Sequence, residues 1–174
     1  MKYFLLERDE NFINAPEIIN WFKQVDEKLL HKGSYHKLDE RTAIKIKSNK
    51  NVEFPDVISY PFLLVTKDVK KVLELYSPNT NFKVFMLYET KFGINNQYYL
   101  PTLDEIDCLH QNSIVTIDKS AIKKIVLDKT KLKDQPLFFI SGVSKRYAIA
   151  RMDFIESILR KDVHGIQLTE VEVM

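Results

Sequence analysis

The chain has 174 residues, of which 45% are hydrophobic and 29% are charged, a composition typical of one globular domain with a sizeable core. Its 26 basic and 24 acidic residues nearly balance, whereas a dedicated duplex-DNA-binding protein usually has a marked basic excess. The single cysteine, Cys108, excludes an internal disulfide and is typical of a reducing compartment. No apolar run approaches the ~20 residues of a membrane helix, and the run at residues 3–6 is too short for a signal peptide. We therefore expect a cytoplasmic protein that does not enter a membrane.

The first third of the chain predicts two strands separated by a less regular segment. Residues 1–7 are typical of an opening strand. Pro16 can begin a short helix that extends to Val25, although the same residues are also compatible with irregular structure. Residues 42–47 alternate between apolar and polar side chains, which predicts a half-exposed strand.

A strand–helix–strand unit is predicted over residues 60–90. The apolar run YPFLLV at residues 60–65 is typical of a strand buried on both faces. Thr66 then caps a helix that extends to Tyr76, and residues 82–90 form a second buried strand. The turn at residues 92–96 leads into QYYL, which can pair back on that strand as a hairpin.

A second strand–helix–strand unit is predicted at the carboxyl end, over residues 146–173. Asp153 and Glu156 have the spacing of a capping box, with Arg160 four residues beyond Glu156, and Gly165 offers a left-handed exit from the helix. In the last strand Ile166 and Leu168 face one side whereas Val171 and Val173 face the other. This change of parity predicts a bulge or bend near residues 169–170.

Residues 114–117, 122–127 and 137–140 are further predicted strands. With only four glycines and no low-complexity tract, the chain shows no interdomain linker. We therefore predict a single α+β domain over residues 1–174, built on a mixed β-sheet with a few packed helices.

The glycine-rich motifs that bind nucleotide phosphates are absent, since neither GxGxxG nor GxxxxGK[ST] occurs. Ser141 lies in FISGVS, where Phe139 replaces the first glycine of a GxSxG nucleophile elbow. We expect no cofactor and no serine-hydrolase triad.

Cys108 and His110 lie two residues apart, so in a strand both side chains would face the same way. One interpretation is a thiolate–imidazole pair or half of a metal site; the other, which we favour, is a buried thiol beside a partly exposed imidazole. His31, His36 and His164 add no standard zinc spacing, so no metal site is predicted.

The two charged clusters of the chain are also open to two interpretations. Asp104, Glu105 and Asp107 could hold a cation or act as paired carboxylates, but they match no calcium loop. A solvated loop, or a surface that meets a basic partner, is the better hypothesis. The lysines between Lys119 and Lys133 could attract a polyanion, or they could be the exposed side of an edge strand, where lysine prevents unwanted pairing. We favour the second interpretation because no exposed aromatic residue is interleaved for base stacking.

Three stretches carry a resemblance to a known group of proteins. The tail DFIESILRKDVHGIQLTEVEV resembles the D-x-x-E-S-x-L-R and G-I-x-L pattern that ends a branch of firmicute proteins. The likeness extends to PDVISYPFLLVTKDVKKVLELYSP and to YYLPTLDEIDCLH. This branch is similar to a family of unknown function that is grouped with the immunity proteins of bacterial polymorphic toxin systems.

The resemblance implies a non-enzymatic, cytoplasmic immunity-type protein that binds and neutralises a cognate toxin. The acidic loop Asp104, Glu105 and Asp107 is the candidate contact with that protein partner. Two alternatives remain open: a small enzyme that uses Cys108 and His110 or the acidic loop, and a nucleic-acid-associated protein that uses the lysines at 119–133.

Overall fold

The computed structural model describes all 174 residues, and it confirms a mixed α+β architecture. Two α-helices are present, α1 (Lys67–Tyr76) and α2 (Met152–Leu159), and neither has the length and apolar character that crossing a bilayer requires. Fourteen strands and three short 3₁₀ turns make up the rest of the regular structure. In chain order they are β1 (Tyr3–Arg8), β2 (Glu17–Ile18), β3 (Arg41–Lys47), β4 (Val57–Ile58), β5 (Leu64–Val65), β6 (Phe82–Glu89), β7 (Ile94–Pro101), β8 (Glu105–Ile106), β9 (Ile114–Val115), β10 (Ile122–Lys124), β11 (Val126–Leu127), β12 (Leu137–Ile140), β13 (Ala148–Arg151) and β14 (Ile166–Val173).

The strands form two large sheets and a ribbon rather than one sheet. Sheet one has the order β2-β3-β6-β7-β5-β4, sheet two has the order β11-β14-β1-β13-β12-β8, and β9 and β10 form the ribbon. Both large sheets contain parallel as well as antiparallel pairs. The alternation of apolar and polar residues predicts where each strand lies, but it does not predict which strand lies beside it. The sequence therefore gives no reason to predict more than one mixed sheet.

Each helix connects two strands that run in the same direction with a third strand inserted between them. Strands β5 and β6, on either side of α1, both pair antiparallel with β7. Strands β13 and β14, on either side of α2, both pair antiparallel with β1. The two predicted strand–helix–strand units therefore have the same split arrangement.

The correspondence extends to the flanking strands. On one side, β4 lies antiparallel beside β5 in sheet one, and β12 lies antiparallel beside β13 in sheet two. On the other side, β3 lies parallel to β6, and β11 lies parallel to β14. Five consecutive strand positions, β3-β6-β7-β5-β4 and β11-β14-β1-β13-β12, thus have the same order and directions. We call the part of the molecule built on sheet one the first half and the part built on sheet two the second half. Strand β1, although it is the amino-terminal strand, occupies in the second half the position that β7 occupies in the first half.

The core lies in three layers that alternate with the sheets. The central layer joins side chains of both sheets with those of both helices, including Val69 and Leu73 of α1 and Phe154 and Ile158 of α2. The outer face of sheet one is covered by residues 21–38, which form the 3₁₀ turns Trp21–Lys23, Glu27–Leu30 and Tyr35–Lys37. The outer face of sheet two is covered by the ribbon and its adjoining loops. Large parts of both sheets are therefore buried on two faces.

The run at residues 60–65 shows this double burial. Leu63 and Val65 lie in the central core, whereas Phe62 and Leu64 lie in the outer core of sheet one. The predicted burial on both faces is confirmed for these four residues. Tyr60, however, is exposed, and the paired strand is limited to β5.

The prediction of a bulge or bend near residues 169–170 is wrong. The pairing of β14 with β1 is continuous from Arg8 opposite Ile166 to Tyr3 opposite Val171. The parity changes because the strand passes between two cores: Ile166 and Leu168 pack on the central core, and Val171 and Val173 pack on the outer core of sheet two. Burial of opposite faces at the two ends needs no irregular backbone.

The capping box predicted at Asp153 and Glu156 is also wrong. The cap residue is Arg151, and Asp153 lies within the first turn, where its carboxylate accepts a hydrogen bond from the Phe154 N–H at 2.9 Å. The guanidinium of Arg151 donates to both oxygens of Asp153, at 2.7 and 2.8 Å, and also pairs with Asp134. These charge-assisted bonds lower the pKa of the Asp153 carboxyl.

The exit from α2 also differs from the prediction. Glu156 and Arg160 form no ion pair, and Asp162, with a φ of 52°, takes the left-handed conformation close to the helix end. Gly165 is left-handed too, with a φ of 69°, but it allows a close approach to Pro55: a Cβ at Gly165 would lie 2.5 Å from the Pro55 Cβ. The helix considered for residues 16–25 is replaced by β2 and a 3₁₀ turn, so the irregular alternative is the correct one.

We expect Tyr76→Phe to lower the free energy of unfolding by about 1 kcal/mol. The Tyr76 hydroxyl donates to the Asp153 carbonyl at 2.9 Å and lies 2.8 Å from the Ser157 Oγ, so it links α1 to α2. The ring packs edge-on against Phe154 at 5.9 Å, and the substitution keeps that contact. Urea denaturation of the purified protein measures the change, with Tyr88→Phe as the control because the Tyr88 hydroxyl makes no hydrogen bond within the protein. Equal stability of Tyr76→Phe and the wild-type protein would contradict this role.

Candidate functional site

The largest cavity is a cleft of about 1010 Å³ between the two halves of the molecule. Its walls come from the end of β1, the segment around β2, the loop at residues 59–61 and the loop that joins β12 to β13. No single element supplies more than a few of the lining side chains. The cleft therefore exists because the two sheets are held next to each other.

Arg146 lies at one end of this cleft and holds several elements together. Its Nη1 donates to Glu105 Oε1 at 3.2 Å and its Nη2 donates to the Leu30 carbonyl at 3.2 Å. Its guanidinium carbon lies 4.1 Å from the ring centroid of Phe139, a cation–π contact. Burial lowers the pKa of Arg146, and the Glu105 carboxylate opposes that shift.

A second cleft of about 520 Å³ shares Arg146, Phe139, Ser144 and Glu27 with the first. Glu27 also borders a third cleft of about 590 Å³, which is lined by residues 21–27, 29 and 37–39. Glu27 is exposed at the point that all three clefts share. The three clefts adjoin at Glu27 beside residues 21–38, the 3₁₀ segment, and are together called the groove.

The rim of the large cleft carries more unpaired negative than positive charge. Glu7 is paired with Lys145 at 3.5 Å. Glu10, Glu17 and Glu27 form no ion pair, and among the cations of the rim only Arg8 is likewise unpaired. A positively charged group is therefore favoured at the mouth of the cleft.

Large aromatic side chains are exposed beside these carboxylates. Tyr60 is 77% exposed on the rim of the large cleft, and Phe22 is 65% exposed on the neighbouring cleft. Trp21 holds this region on the core through an edge-on contact with Phe62 at 5.8 Å. Exposed aromatic side chains on a supported surface are typical anchors of protein interfaces.

The acidic loop predicted as a partner contact is largely neutralised within the protein. Asp104 pairs with Lys32 and accepts a hydrogen bond from the Gln135 side chain at 2.7 Å. Glu105 lies 2.8 Å from His31 Nδ1, in addition to its pair with Arg146. Only Asp107 projects an exposed carboxylate, which lies 4.0 Å from Lys131 Nζ.

The Cys108 thiol and the His110 imidazole form no hydrogen bond with each other. Cys108 is fully buried in the outer core of sheet two, and burial raises the pKa of its thiol to about 11. His110 lies nearer the surface, where its Nδ1 accepts a hydrogen bond from the Asn112 N–H at 3.2 Å. No group of three or more His, Cys, Asp or Glu side chains comes together in a geometry that could hold a metal ion.

The lysines between Lys119 and Lys133 all lie on the surface. Lys124 pairs with Glu172 of β14 at 3.0 Å, and Lys119 occupies a left-handed turn with a φ of 55°. The others are distributed along the ribbon, β11 and the loop that follows it.

Two residues of the cleft were not recognised as candidates from the sequence. The sequence predicts Tyr60 at the start of a buried strand because apolar residues follow it, and only the adjacent Pro61 indicates that the strand begins later. Arg146 draws its contacts from Leu30, Glu105 and Phe139, and no local pattern indicates contacts across such separations.

We expect native Cys108 to react with iodoacetamide far more slowly than free cysteine between pH 7 and 9. The thiol is buried and its pKa is about 11, so the reactive thiolate forms only as the pH rises toward that value. Mass spectrometry of the alkylated protein measures the rate, and the urea-unfolded chain serves as the reactive control. A native rate equal to that of free cysteine would revive the enzyme hypothesis.

No protein-family model matches this chain, and no curated protein matches it. The resemblance to immunity proteins therefore stays a prediction.

Proposed function

We propose that this chain is a non-enzymatic, immunity-type protein that binds a cognate toxin and blocks it by occupying its surface. The observation that carries the proposal is the cleft between the halves, where exposed aromatic side chains stand beside unpaired carboxylates. The resemblance of the three sequence stretches to proteins grouped with immunity proteins supports the same class of function.

The rim favours a basic segment of the partner. Glu10, Glu17 and Glu27 attract lysine or arginine side chains and raise the rate of encounter. Tyr60 supplies a large contact area at low cost in conformational entropy, because its ring has only two rotatable bonds. Binding in the groove would cover the partner without any chemical step, which is all that neutralisation by occlusion requires.

The acidic loop contributes in two ways under this proposal. Glu105 positions Arg146 at the end of the cleft, and Asp104 ties the loop to Lys32 of the 3₁₀ segment. Asp107 remains available for direct contact with a basic partner. Of the three predicted contact residues, Asp107 is the one that we expect to touch the toxin.

The buried state of Cys108 disfavours the thiolate version of the enzyme hypothesis. Its nucleophile would have to leave the core before it could react. A partner-binding role needs no such movement, because the side chains that it uses are already exposed.

We expect co-expression of this chain to restore growth to cells that express a toxic product of a neighbouring gene. We also expect the two proteins to co-purify. Tyr60→Ala and the double variant Glu17→Lys with Glu27→Lys should each weaken binding at least tenfold, since a tenfold change is about 1.4 kcal/mol and interface anchors typically exceed that. Isothermal titration calorimetry of the purified pair measures the affinity.

Glu53→Lys is the matched control, because Glu53 is exposed, forms no ion pair and does not line the cleft. It should bind as the wild type does. A neighbouring gene product that is harmless, or a toxin that the cleft variants still bind at full affinity, would contradict the proposal.

A further inference from the structure

Sheet one has an open face that the cleft does not include. Nine side chains of β3, β6 and β7 point away from the outer core of the sheet, toward the side that carries the central core. None of them is fully buried, and only Tyr99 packs against the central core. The strand pairing places them in three rows across the sheet: Arg41, Val84 and Tyr99; Ala43, Met86 and Gln97; Lys45, Tyr88 and Asn95. A shallow depression of about 290 Å³ lies at the first two rows and shares no lining residue with the large cleft.

The three strands present different chemistry on this face. Strand β3 supplies the cations Arg41 and Lys45, neither of which forms an ion pair. Strand β6 supplies apolar and aromatic side chains, Val84, Met86 and Tyr88. Strand β7 supplies the amide of Asn95 and that of Gln97, whose Nε2 donates to the Tyr99 hydroxyl at 2.6 Å. The nine positions include no carboxylate, so the face favours an anionic partner.

The order of these chemistries across the sheet fits a nucleotide lying across the strands. Neighbouring strands are about 4.8 Å apart, so the cations of β3 lie about 10 Å from the amides of β7. A nucleotide extends over a similar distance, from a phosphate at β3, through a base on Met86 or Tyr88, to a base edge at β7. Asparagine and glutamine amides both donate and accept, as base edges require.

The spacing of the cations along β3 also suits the phosphates of a single-stranded nucleic acid. Arg41 and Lys45 are four residues apart, or about 13 Å at 3.3 Å per residue, so they can contact different phosphates of one extended chain. Lys47 continues the row of cations, although Glu17 of β2 lies opposite it. The half-buried Tyr88 beside this row provides a stacking surface for bases.

We propose that this open face binds a short single strand of RNA, with its phosphates along β3 and its bases stacked across β6. The Tyr88 hydroxyl, which has no partner within the protein, offers a hydrogen bond to a ribose 2′-hydroxyl, the group that distinguishes RNA from DNA. The lysines at 119–133 lack interleaved aromatics, whereas here the fold brings cations, aromatics and amides together from strands far apart in the sequence. This binding is independent of the proposed toxin interaction.

The test is fluorescence anisotropy of the full chain with a labelled ten-nucleotide uridine RNA. We expect binding that weakens with salt, with a slope of log Kd against log salt of about 1.4 to 2.1 for two or three phosphate contacts at ~0.7 each. Arg41→Glu with Lys45→Glu should weaken binding at least tenfold. Tyr88→Ala should weaken it at least fivefold, since stacking on one aromatic contributes ~1–3 kcal/mol.

The matched control is Lys123→Glu with Lys129→Glu, which makes the same charge change on the other lysine-bearing surface. It should retain binding, and circular dichroism should show that every variant is folded. The proposal is overturned by an absence of binding at low salt, or by loss of binding in this control with full binding in the β3 variant. Equal affinity for the DNA strand of the same sequence, or displacement of the RNA by polyglutamate at equal charge, would overturn it as well.

Discussion

The packing of α1 against α2 between two sheets is the contact on which the rest of the molecule depends. Side chains of both helices and both sheets fill one central core. Each half contributes one helix to this layer, and the inner faces of both sheets are buried where the layer covers them. The apolar surface removed from water at this layer is therefore the main force that joins the halves.

The joined halves create the cleft. Beyond the edge of the central core, polar contacts connect the two halves. Arg146 of the β12–β13 loop donates to the Leu30 carbonyl. Glu105 of β8 contacts His31, and Asp104, the residue before β8, pairs with Lys32. These partly exposed pairs contribute little to stability individually. Their effect is to hold the 3₁₀ segment beside sheet two, which places Phe22 and Glu27 next to the large cleft that Tyr60 borders.

Most single elements could be predicted from the sequence, whereas their arrangement could not. The runs at residues 60–65 and 82–90 and the spacing of Val69, Val72 and Leu73 reflect burial, so local pattern was sufficient to locate a strand or a helix. The capping-box prediction failed because Asp153 satisfies the first turn equally well when it pairs with Arg151. The insertion of β1 between β13 and β14 depends on pairing between residues about 150 positions apart. The contacts of Arg146 also join residues that are separated in the sequence, although by shorter distances. Only long-range packing decides such pairings.

Hydrogen–deuterium exchange measured by mass spectrometry tests the shared core most directly. If the two halves depend on one central layer, the amides of β6 and β7 in sheet one and of β1 and β13 in sheet two should open with the same free energy, close to that of global unfolding. The shared value should persist as urea is added below the unfolding transition. If one sheet instead exchanges at a much lower free energy while the other stays protected, the halves are independent units, and the cleft between them is not a preformed site.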